Sequence, residues 1–342
     1  MNEKNGPLLS VKELYVEYTS DGKVIHAVNG VSLDIEKGRT LGLVGETGAG
    51  KTTIAKAILG ILPFPPARLA GGEVVFEGQD LLKLSEKELL KVQGAKISMI
   101  FQDPMTALNP TMTVGAQIAD GIALHENLGK VESIKKAKRM LELVGIPAAR
   151  FNEYPHQFSG GMKQRVIIAI ALACNPELLL ADEPTSALDV TIQAQVLDLI
   201  NNLKKERGTS MLLITHDLGV VAETCDNVAV IYAGEIVEYG DKFEIFGNPS
   251  HPYTKGLFGS LPHMAKGEKR LHPIAGMMPN PANLPGGCKF HPRCPYATEE
   301  CAQALPPLQP MEGTHQCRCI HAGKLDEVAE RKRKEAEHVN AG

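Results

Sequence analysis

A glycine-rich segment at residues 45–52 constrains this chain more than any other part of its sequence. The segment fits the spacing G-x-x-x-x-G-K-[ST], follows an apolar run at residues 40–44 and precedes an apolar-periodic run at residues 54–62. A strand, a phosphate-binding loop and a helix in this order are typical of an α/β fold. The candidate phosphate-binding residues, with the threonine that follows them, are Gly45, Glu46, Thr47, Gly48, Ala49, Gly50, Lys51, Thr52 and Thr53.

The residue types of this loop suit the binding of a nucleotide. Glycines allow backbone N–H groups to turn inward around phosphate oxygens, and the helix that begins near Lys51 adds the positive end of its dipole. We expect Lys51 to reach the β- and γ-phosphates and the Thr52 hydroxyl to ligate Mg²⁺. The alternative is a glycine-rich turn beside a chance lysine, and the flanking apolar runs argue against it.

A second pair of glycines opens another apolar helical run. Ser159 precedes Gly160 and Gly161, and residues 166–173 after them are strongly apolar. A serine at the start of a helix is first of all an N-cap. The same geometry also makes a second phosphate cradle, and one nucleotide has no evident reason to occupy both cradles of a single chain.

Two acidic residues follow a short apolar run at residues 178–181. Such a run predicts a buried parallel strand, and acids at its carboxyl end lie at the ligand edge of an open sheet. Asp182 is placed to hold Mg²⁺, directly or through water, and Glu183 to polarise an attacking water. Another apolar run ends at His216, which can either hydrogen-bond a γ-phosphate or be structural. Two solvated acids in a turn would not explain the apolar run before them.

Taken in order, these motifs resemble those of the ATP-binding subunits of ABC transporters. Residues 45–52 match the Walker A loop, and Asp182 and Glu183 match the Walker B aspartate and the catalytic glutamate. Met162 stands where glutamine is usual, and a thioether cannot replace the hydrogen bonds of an amide. The other matches are the Q-loop glutamine Gln102, the signature residues Ser159, Gly160 and Gly161, the D-loop at residues 186–189 and the switch histidine His216.

The resemblance implies how the two phosphate cradles are used. In the family two cassettes stack head to tail, and each ATP lies between the Walker A loop of one and the signature of the other. The resemblance also implies that Thr52, Gln102 and Asp182 ligate Mg²⁺. The implied catalytic residues are Glu183, His216 and Gln102.

The segment before the Walker A loop predicts antiparallel strands, because apolar and polar residues alternate over residues 8–38. An aromatic residue of this segment stacks on adenine in the family. Tyr18 best matches that position, and Tyr15 is the competitor. An ordinary strand tyrosine is the alternative for Tyr18.

The resemblance predicts an α/β P-loop fold with an antiparallel β subdomain, a helical subdomain and a small cysteine-rich C-terminal extension. Residues 1–103 and 159–248 are expected to form the ABC ATPase core, and residues 104–158 the helical subdomain that docks on the membrane partner. Residues 249–322 resemble the C-terminal extension of the oligopeptide, dipeptide and nickel importer subfamily. The tail, residues 323–342, carries charges of both signs and is expected to be a solvated helix or disordered.

Five of the seven cysteines lie within residues 288–319. A loop-rich segment with few apolar residues cannot easily stabilise itself, and a metal centre can supply the missing folding energy. Thiolates suit zinc and an iron–sulfur cluster equally, the spacing matches neither a zinc ribbon nor a ferredoxin motif, and reduced cysteines in a loop are a further alternative. The subfamily resemblance implies a [4Fe–4S] cluster on Cys288, Cys294, Cys301 and Cys319, with Cys317 as a spare.

Length and composition limit the roles of the chain. Its 342 residues are comfortable for two domains, and its net charge of −4 gives no general electrostatic reason to expect nucleic-acid binding. The longest apolar run has nine residues, which is shorter than a membrane span, and the first six residues lack an apolar signal segment. We therefore expect a chain at the cytoplasmic face of the membrane, with partner chains supplying the membrane part.

The predicted function is an ATPase subunit that powers the import of di- or oligopeptides, or of a related solute such as nickel. Its expected partners are a second ATP-binding subunit, two membrane permease subunits and an extracytoplasmic solute-binding protein. Its expected cofactors are ATP, Mg²⁺ and a [4Fe–4S] cluster. One alternative is a soluble ABC ATPase of DNA repair or iron–sulfur assembly, which would need a long coiled coil or a second cassette. The other is a non-catalytic regulatory cassette, which would lack Glu183 or His216.

Overall fold

The chain folds around two β-sheets. The computed structural model describes residues 6–186, 188–259 and 274–340. The strands of these residues are β1 (Leu9–Ser20), β2 (Lys23–Ile35), β3 (Thr40–Val44), β4 (Ala67–Phe76), β5 (Gln79–Asp80), β6 (Ile97–Ile100), β7 (Leu178–Asp182), β8 (Ser210–Ile214), β9 (Asn227–Tyr232), β10 (Glu235–Asp241), β11 (Gln309–Pro310) and β12 (Gln316–Cys317).

The helices surround the larger of the two sheets. They are α1 (Lys51–Leu59), α2 (Glu86–Val92), α3 (Pro104–Ala107), α4 (Val114–Glu126), α5 (Lys130–Leu143), α6 (Gly160–Leu172), α7 (Val190–Arg207), α8 (Leu218–Thr224), α9 (Lys242–Gly247), α10 (Pro252–Gly259), α11 (Glu299–Gln303) and α12 (Leu325–Asn340). Short 3₁₀ turns occur at Leu81–Lys83, Ala148–Asn152, Pro155–Gln157 and His291–Arg293.

The larger sheet has the order β11-β12-β10-β9-β3-β8-β7-β6. Its five strands from β9 to β6 are parallel, and β10, β11 and β12 add to the β9 edge in antiparallel pairs. Both faces are covered, since successive residues of a strand alternate between two apolar clusters. Leu178 and Leu180 of β7 belong to one cluster, and Leu179 and Ala181 to the other. This burial on both faces explains why the parallel strands are continuous apolar runs in the sequence.

The smaller sheet is antiparallel, with the order β2-β1-β4-β5. The buried side chains of β1 include Leu9, Val11, Leu14 and Val16, and a shift in strand register lies between Val11 and Leu14. These residues pack into the same apolar cluster as α1 and one face of the larger sheet. The alternation in the sequence thus predicted the antiparallel strands correctly.

Residues 104–157 form a helical segment between β6 and α6. Helix α4 buries Val114, Ile118 and Ile122, which lie one helical turn apart, and α5 buries Ala137 and Leu141. These side chains join the apolar cluster that also includes α6 and the second face of the larger sheet. The helical segment therefore shares its core with the sheet.

The C-terminal residues are packed onto the core sheet. Strand β12 pairs with β10 and with β11, so the sheet is continuous from β6 to the C-terminal segment. Helix α10 buries Tyr253 and Phe258 in the cluster that covers one face of that sheet. The charged tail is helical over Leu325–Asn340. Within the described part of the chain, no helix has both the length and the apolar character to cross a membrane.

Candidate active site

A cleft of about 170 Å³ opens at the carboxyl end of β3. The chain leaves β3 at Val44, turns through the glycine-rich loop and enters α1 at Lys51. The N-terminus of α1 therefore faces the cleft, as a phosphate site requires. The lining residues are Ala27, Thr47, Gly48, Gly50, Lys51, Thr52, Thr53, Gln102 and Glu183.

The Lys51 ammonium lies inside the loop. Lys51 is 6% exposed, and its Nζ donates to the backbone oxygens of Gly45 at 2.7 Å and Glu46 at 3.0 Å. Burial lowers the pKa of Lys51, and the nearby carboxylates of Glu183 and Asp182 oppose that change. The charge is thus held next to acceptors that phosphate oxygens can replace.

Glu183 makes side-chain contacts with two other predicted site residues. Its Oε2 accepts a hydrogen bond of 3.0 Å from Nε2 of Gln102, and its Oε1 lies 3.3 Å from Nδ1 of His216. The Glu183 backbone has a φ of 46°, in the left-handed region that non-glycine residues rarely adopt. This conformation immediately follows β7 and is fixed by a hydrogen bond from the Glu183 N–H to the Ile214 oxygen. The fold thus brings Gln102, Glu183 and His216 together. Gln102 and Glu183 line the cleft, whereas His216 contacts Glu183 without lining it.

Asp182 is the last residue of β7 and is 2% exposed. Burial raises the pKa of its carboxyl, and the Thr52 hydroxyl acts against that rise. Its Oδ1 atom is buried without a hydrogen-bond partner. A buried acceptor without a donor beside Thr52 suits a cation, because an orphaned carboxylate oxygen is costly unless a cation pairs with it.

The signature residues lie apart from this cleft. Ser159 caps α6, with its Oγ accepting from the Met162 N–H at 3.4 Å. Arg150 contacts residues on both sides of Ser159. Its guanidinium donates to Sδ of Met162 at 3.3 Å and lies 4.2 Å from the centroid of the Phe158 ring. Of the described residues, neither Ser159, Gly160 nor Gly161 lines the phosphate cleft. The structure does not bring the two predicted cradles of one chain together.

Two further sequence predictions are not settled by the geometry. Tyr18 lies on β1 opposite Ile25 and does not line the cleft, so its stacking on adenine stays a prediction. Tyr15 is 41% exposed and its hydroxyl donates to Glu13. In the D-loop, Ala187 falls outside the described residues.

Four cysteines line one small cavity in the C-terminal segment. They are the four predicted ligands Cys288, Cys294, Cys301 and Cys319, whereas Cys317 does not line the cavity. Burial raises the pKa of Cys294 to about 12 and of Cys319 to about 11. The cavity measures about 20 Å³, and among the described residues no group of three or more His, Cys, Asp or Glu side chains is arranged to hold a single metal ion.

Two contacts between the C-terminal segment and the phosphate loop were not predicted from the sequence. The Glu46 N–H donates to the Tyr253 hydroxyl at 2.9 Å, and Arg293 donates to the Glu46 carboxylate at 3.0 Å. More than two hundred residues separate the partners of each pair, so no local pattern could reveal them. His251 and Tyr253 belong to the segment that resembled the importer extension, but that resemblance did not predict a contact with the loop.

Comparison with known protein families agrees with the motifs. A family model described as "ABC transporter" matches residues 28–186. A second, described as "Oligopeptide/dipeptide transporter, C-terminal region", matches residues 237–301. The first match includes the phosphate loop and Glu183, and the second includes three of the four cysteines that line the cavity.

Individual relatives match over almost the whole chain. A probable peptide ABC transporter ATP-binding protein of Sinorhizobium fredii is 48% identical, over 95% of this chain and 98% of the relative. An oligopeptide transport ATP-binding protein, OppD, of Bacillus subtilis is 51% identical, over 90% of this chain and 87% of the relative. Among solved structures, a dimeric ATP-binding cassette, MJ0796, bound to ADP and phosphate is 28% identical with a TM-score of 0.62, covering 68% of this chain and 98% of the cassette.

Proposed function

The chain belongs to the family of ATP-binding subunits of oligopeptide and dipeptide ABC transporters, and on that premise we propose that it hydrolyses ATP to power peptide import. The observation that carries the ATPase function is the contact of Glu183 with both Gln102 and His216 beside the phosphate cleft. The matched C-terminal region and the relatives that transport peptides support di- or oligopeptides as the solute. A related solute such as nickel is the second candidate.

We infer the roles of the cleft residues from their positions. Backbone N–H groups of the loop and the Lys51 ammonium bind the phosphates, because they converge at the positive end of α1. Asp182, Thr52 and Gln102 would hold Mg²⁺, which takes few protein oxygens and keeps its other positions for water and phosphate. The unpaired Oδ1 of Asp182 fits this role. When bound, Mg²⁺ neutralises charge that develops on the phosphates.

Glu183 would orient and deprotonate the attacking water. Gln102 and His216 each contact one of its carboxylate oxygens, and Glu183 lines the cleft. For His216, its contact with Glu183 and its exposed side chain support the proposed role at the γ-phosphate. These are proposals for residues whose geometry suits the chemistry of phosphoryl transfer.

A second cassette would complete the site. Gly160 is the first residue of α6. Apart from its chain neighbours and the backbone of its own helix, no described residue has an atom within 4 Å of a Cβ built at Gly160, so packing within this part of the chain does not require the glycine. Close approach of a phosphate held by a partner explains it. Ser159, Gly160 and Gly161 would thus act on the ATP bound to the Walker A loop of the other cassette.

The remaining assignments extend this proposal to the whole transporter. The complex would include two membrane permease subunits and an extracytoplasmic solute-binding protein, without a nucleic-acid partner. The chain would act at the cytoplasmic face of the membrane. We keep the domain limits expected from the sequence: residues 1–103 and 159–248 for the core, 104–158 for the helical subdomain, 249–322 for the extension and 323–342 for the tail.

The four cysteines that line one cavity support a [4Fe–4S] cluster in the extension. Cysteine thiolates are the ligands of such clusters, and this cavity gathers four of them. The space between them holds about one water molecule, so the side chains must rotate outward to admit a cluster. The proposed role is to stabilise the loop-rich extension.

Metal analysis tests the cluster. Protein purified without oxygen should contain about four irons and four sulfides per chain. Cys294→Ser should lose them, while Cys317→Ser, which changes a buried cysteine outside the cavity, should retain them. Stoichiometric zinc without iron would replace the cluster by a zinc site.

Uptake measurements test the transport function. Cells that lack the native chain receive either the unmodified chain or the Glu183→Gln variant, and the uptake of a labelled tripeptide is measured. The unmodified chain should restore uptake and the variant should not, because ATP is bound but not cleaved. Nickel uptake in the same cells decides the second candidate. Peptide uptake that does not depend on the chain would contradict the proposal.

A further inference from the structure

Glu46 of the phosphate loop is held by two side chains from the C-terminal part of the chain. The hydroxyl of Tyr253, on α10, accepts a hydrogen bond of 2.9 Å from the Glu46 backbone N–H. Arg293, next to Cys294, donates from its guanidinium to Oε2 of Glu46 at 3.0 Å. The loop is therefore fixed at its second residue, through both its backbone and its side chain.

Both contacts come from buried side chains. Tyr253 is fully buried, and the Arg293 side chain is 7% exposed. The Arg293 guanidinium also donates to the Tyr232 hydroxyl at 3.2 Å and to the Ala275 oxygen at 3.0 Å. Its position is thus determined by three partners on three different segments. A charged hydrogen bond from a fixed donor restricts its acceptor strongly, because neither partner can relax away.

The held residue is directly connected to the phosphate-binding lysine. Lys51 Nζ donates to the Glu46 oxygen at 3.0 Å and to the Gly45 oxygen at 2.7 Å. The backbone of Glu46 is therefore bonded on its N–H side to Tyr253 and on its C=O side to Lys51. If Glu46 gains conformational freedom, the loop that surrounds the phosphates gains it too.

We propose that Arg293 and Tyr253 are positioning residues for the phosphate loop, and that the C-terminal extension thereby sets the affinity for ATP. The proposal rests on the ATPase function proposed above. A loop already held in its binding conformation loses less conformational entropy when the nucleotide binds. Glu183, Gln102 and His216 have no contact with either positioning residue, so the rate at saturating ATP should change little.

The same segment links the cysteine cavity to the loop. Cys288 and Cys294 line the cavity, and Arg293 lies between them in the chain. The Phe290 ring stands edge-on to the Tyr232 ring, with 5.2 Å between the ring centroids. Its centroid lies 5.5 Å from that of the Tyr253 ring. The cysteine-bearing segment thus supplies Arg293 directly and packs against Tyr253 through Phe290. The extension contributes to the nucleotide site without touching the nucleotide.

Steady-state kinetics of ATP hydrolysis test the proposal. Arg293→Ala should raise the KM for ATP, and the dissociation constant of ATP measured without turnover, by about tenfold, while kcat changes less than about twofold. Arg318→Ala is the matched control. Arg318 also anchors the extension, by donating to the Ile236 oxygen at 2.9 Å and the Pro306 oxygen at 3.2 Å, but it does not contact the phosphate loop. Its KM should equal that of the unmodified chain.

A double-mutant cycle separates positioning from general loosening. Glu46→Ala should raise KM as Arg293→Ala does, and the double variant should be no worse than either single variant, because both remove one contact. If the Arg293→Ala chain does not fold, Tyr253→Phe replaces it, since it keeps the buried ring and removes only the hydroxyl; its KM should rise severalfold.

Three results would overturn the inference. They are an unchanged KM in the Arg293 or Tyr253 variant, an equal rise in the Arg318 control, and additive effects in the cycle. Failure of the proposed ATPase function is a different result, because the unmodified chain itself would then not hydrolyse ATP.

Discussion

At the scale of single residues, the phosphate loop depends on positions where a side chain has no room. A Cβ at Gly50 would lie 2.4 Å from the Ala27 oxygen, and one at Gly45 would lie 2.3 Å from the Ile231 oxygen. Both obstacles are backbone atoms of neighbouring strands and cannot rotate away. Gly50 also has a φ of 102°, which L side chains rarely adopt. The loop can therefore approach β2 and β9 only with glycine at these positions.

We predict that Gly50→Ala raises the dissociation constant of ATP by more than about tenfold, because the loop must move to relieve the clash. Gly78→Ala is the control. Gly78 has a similar backbone, with a φ of 82°, but no atom lies within 4 Å of its Cβ position. It should destabilise the chain by about 1 kcal/mol and leave ATP binding unchanged. Calorimetric titration of both variants with ATP measures their dissociation constants. Equal affinities would contradict the steric account.

At this scale the sequence predicts roles for Lys51, Asp182, Glu183 and His216, because their order and their flanking apolar runs are local signals. The structure places Glu183 in contact with His216, and the chemical roles of these residues stay predictions. The family to which they pointed is confirmed by the relatives. The hydrogen bond between Glu46 and Arg293 could not be predicted, because no local sequence pattern links residues that are 247 positions apart.

At the scale of elements, β10 connects the core sheet to the C-terminal segment. Glu238 of this strand is fully buried and accepts from the backbone N–H groups of Ser250 and His251 and from the His315 ring at 2.7 Å. Two N–H groups at the start of the extension and one side chain near its end thus share one carboxylate. This pairing stabilises the carboxylate against the cost of burial.

Glu235, at the start of the same strand, is buried without such hydrogen-bond partners among the described residues. We therefore predict that its titration makes the stability of the chain depend on pH. Burial raises its pKa to about 7. Between pH 4.5 and 7, Glu235 keeps its proton in the folded chain and loses it in the unfolded chain. The contribution of the protonated Glu235 to stability is therefore full below pH 4.5 and is lost as pH rises towards 7. Glu235→Gln keeps the shape without the titration. As pH rises from 5 to 8, the free energy of unfolding of the variant should increase by about 2–3 kcal/mol relative to that of the unmodified chain.

Urea unfolding of both chains at the two pH values measures this gain. Glu223→Gln, which changes an exposed glutamate on α8, is the control and should show no pH-dependent difference. A constant stability difference between Glu235→Gln and the unmodified chain at both pH values would show that Glu235 is ionised in the folded protein throughout this range.

The elements that sequence predicted well are the longer ones. The apolar runs at residues 40–44, 178–181 and 211–215 correspond to β3, β7 and β8, because a strand buried on both faces needs an uninterrupted apolar run. Strands β11 and β12 have two residues each, which is too short for any periodicity. Their pairing with β10 depends on the path of the whole extension and is visible only in the fold.

At the scale of the whole molecule, the two phosphate cradles remain separate. The Walker A loop lines the cleft with Gln102 and Glu183, and the signature residues Ser159 and Gly160 are exposed elsewhere on the surface. In the proposed function, a second copy or a related subunit supplies the signature to each ATP. ATP would then hold two cassettes together and its hydrolysis would separate them, so that a chemical step at Glu183 could move a membrane partner.

The most direct test of this account is the behaviour of the Glu183→Gln variant with ATP. The amide keeps the size of the side chain but cannot act as a base, so hydrolysis should fall by about 10²–10⁴-fold. ATP should bind as tightly as before, and the ATP-bound variant should elute at twice the mass of the single cassette. The control Glu223→Gln should hydrolyse ATP like the unmodified chain. Hydrolysis at the unmodified rate by a folded Glu183→Gln chain would contradict the account.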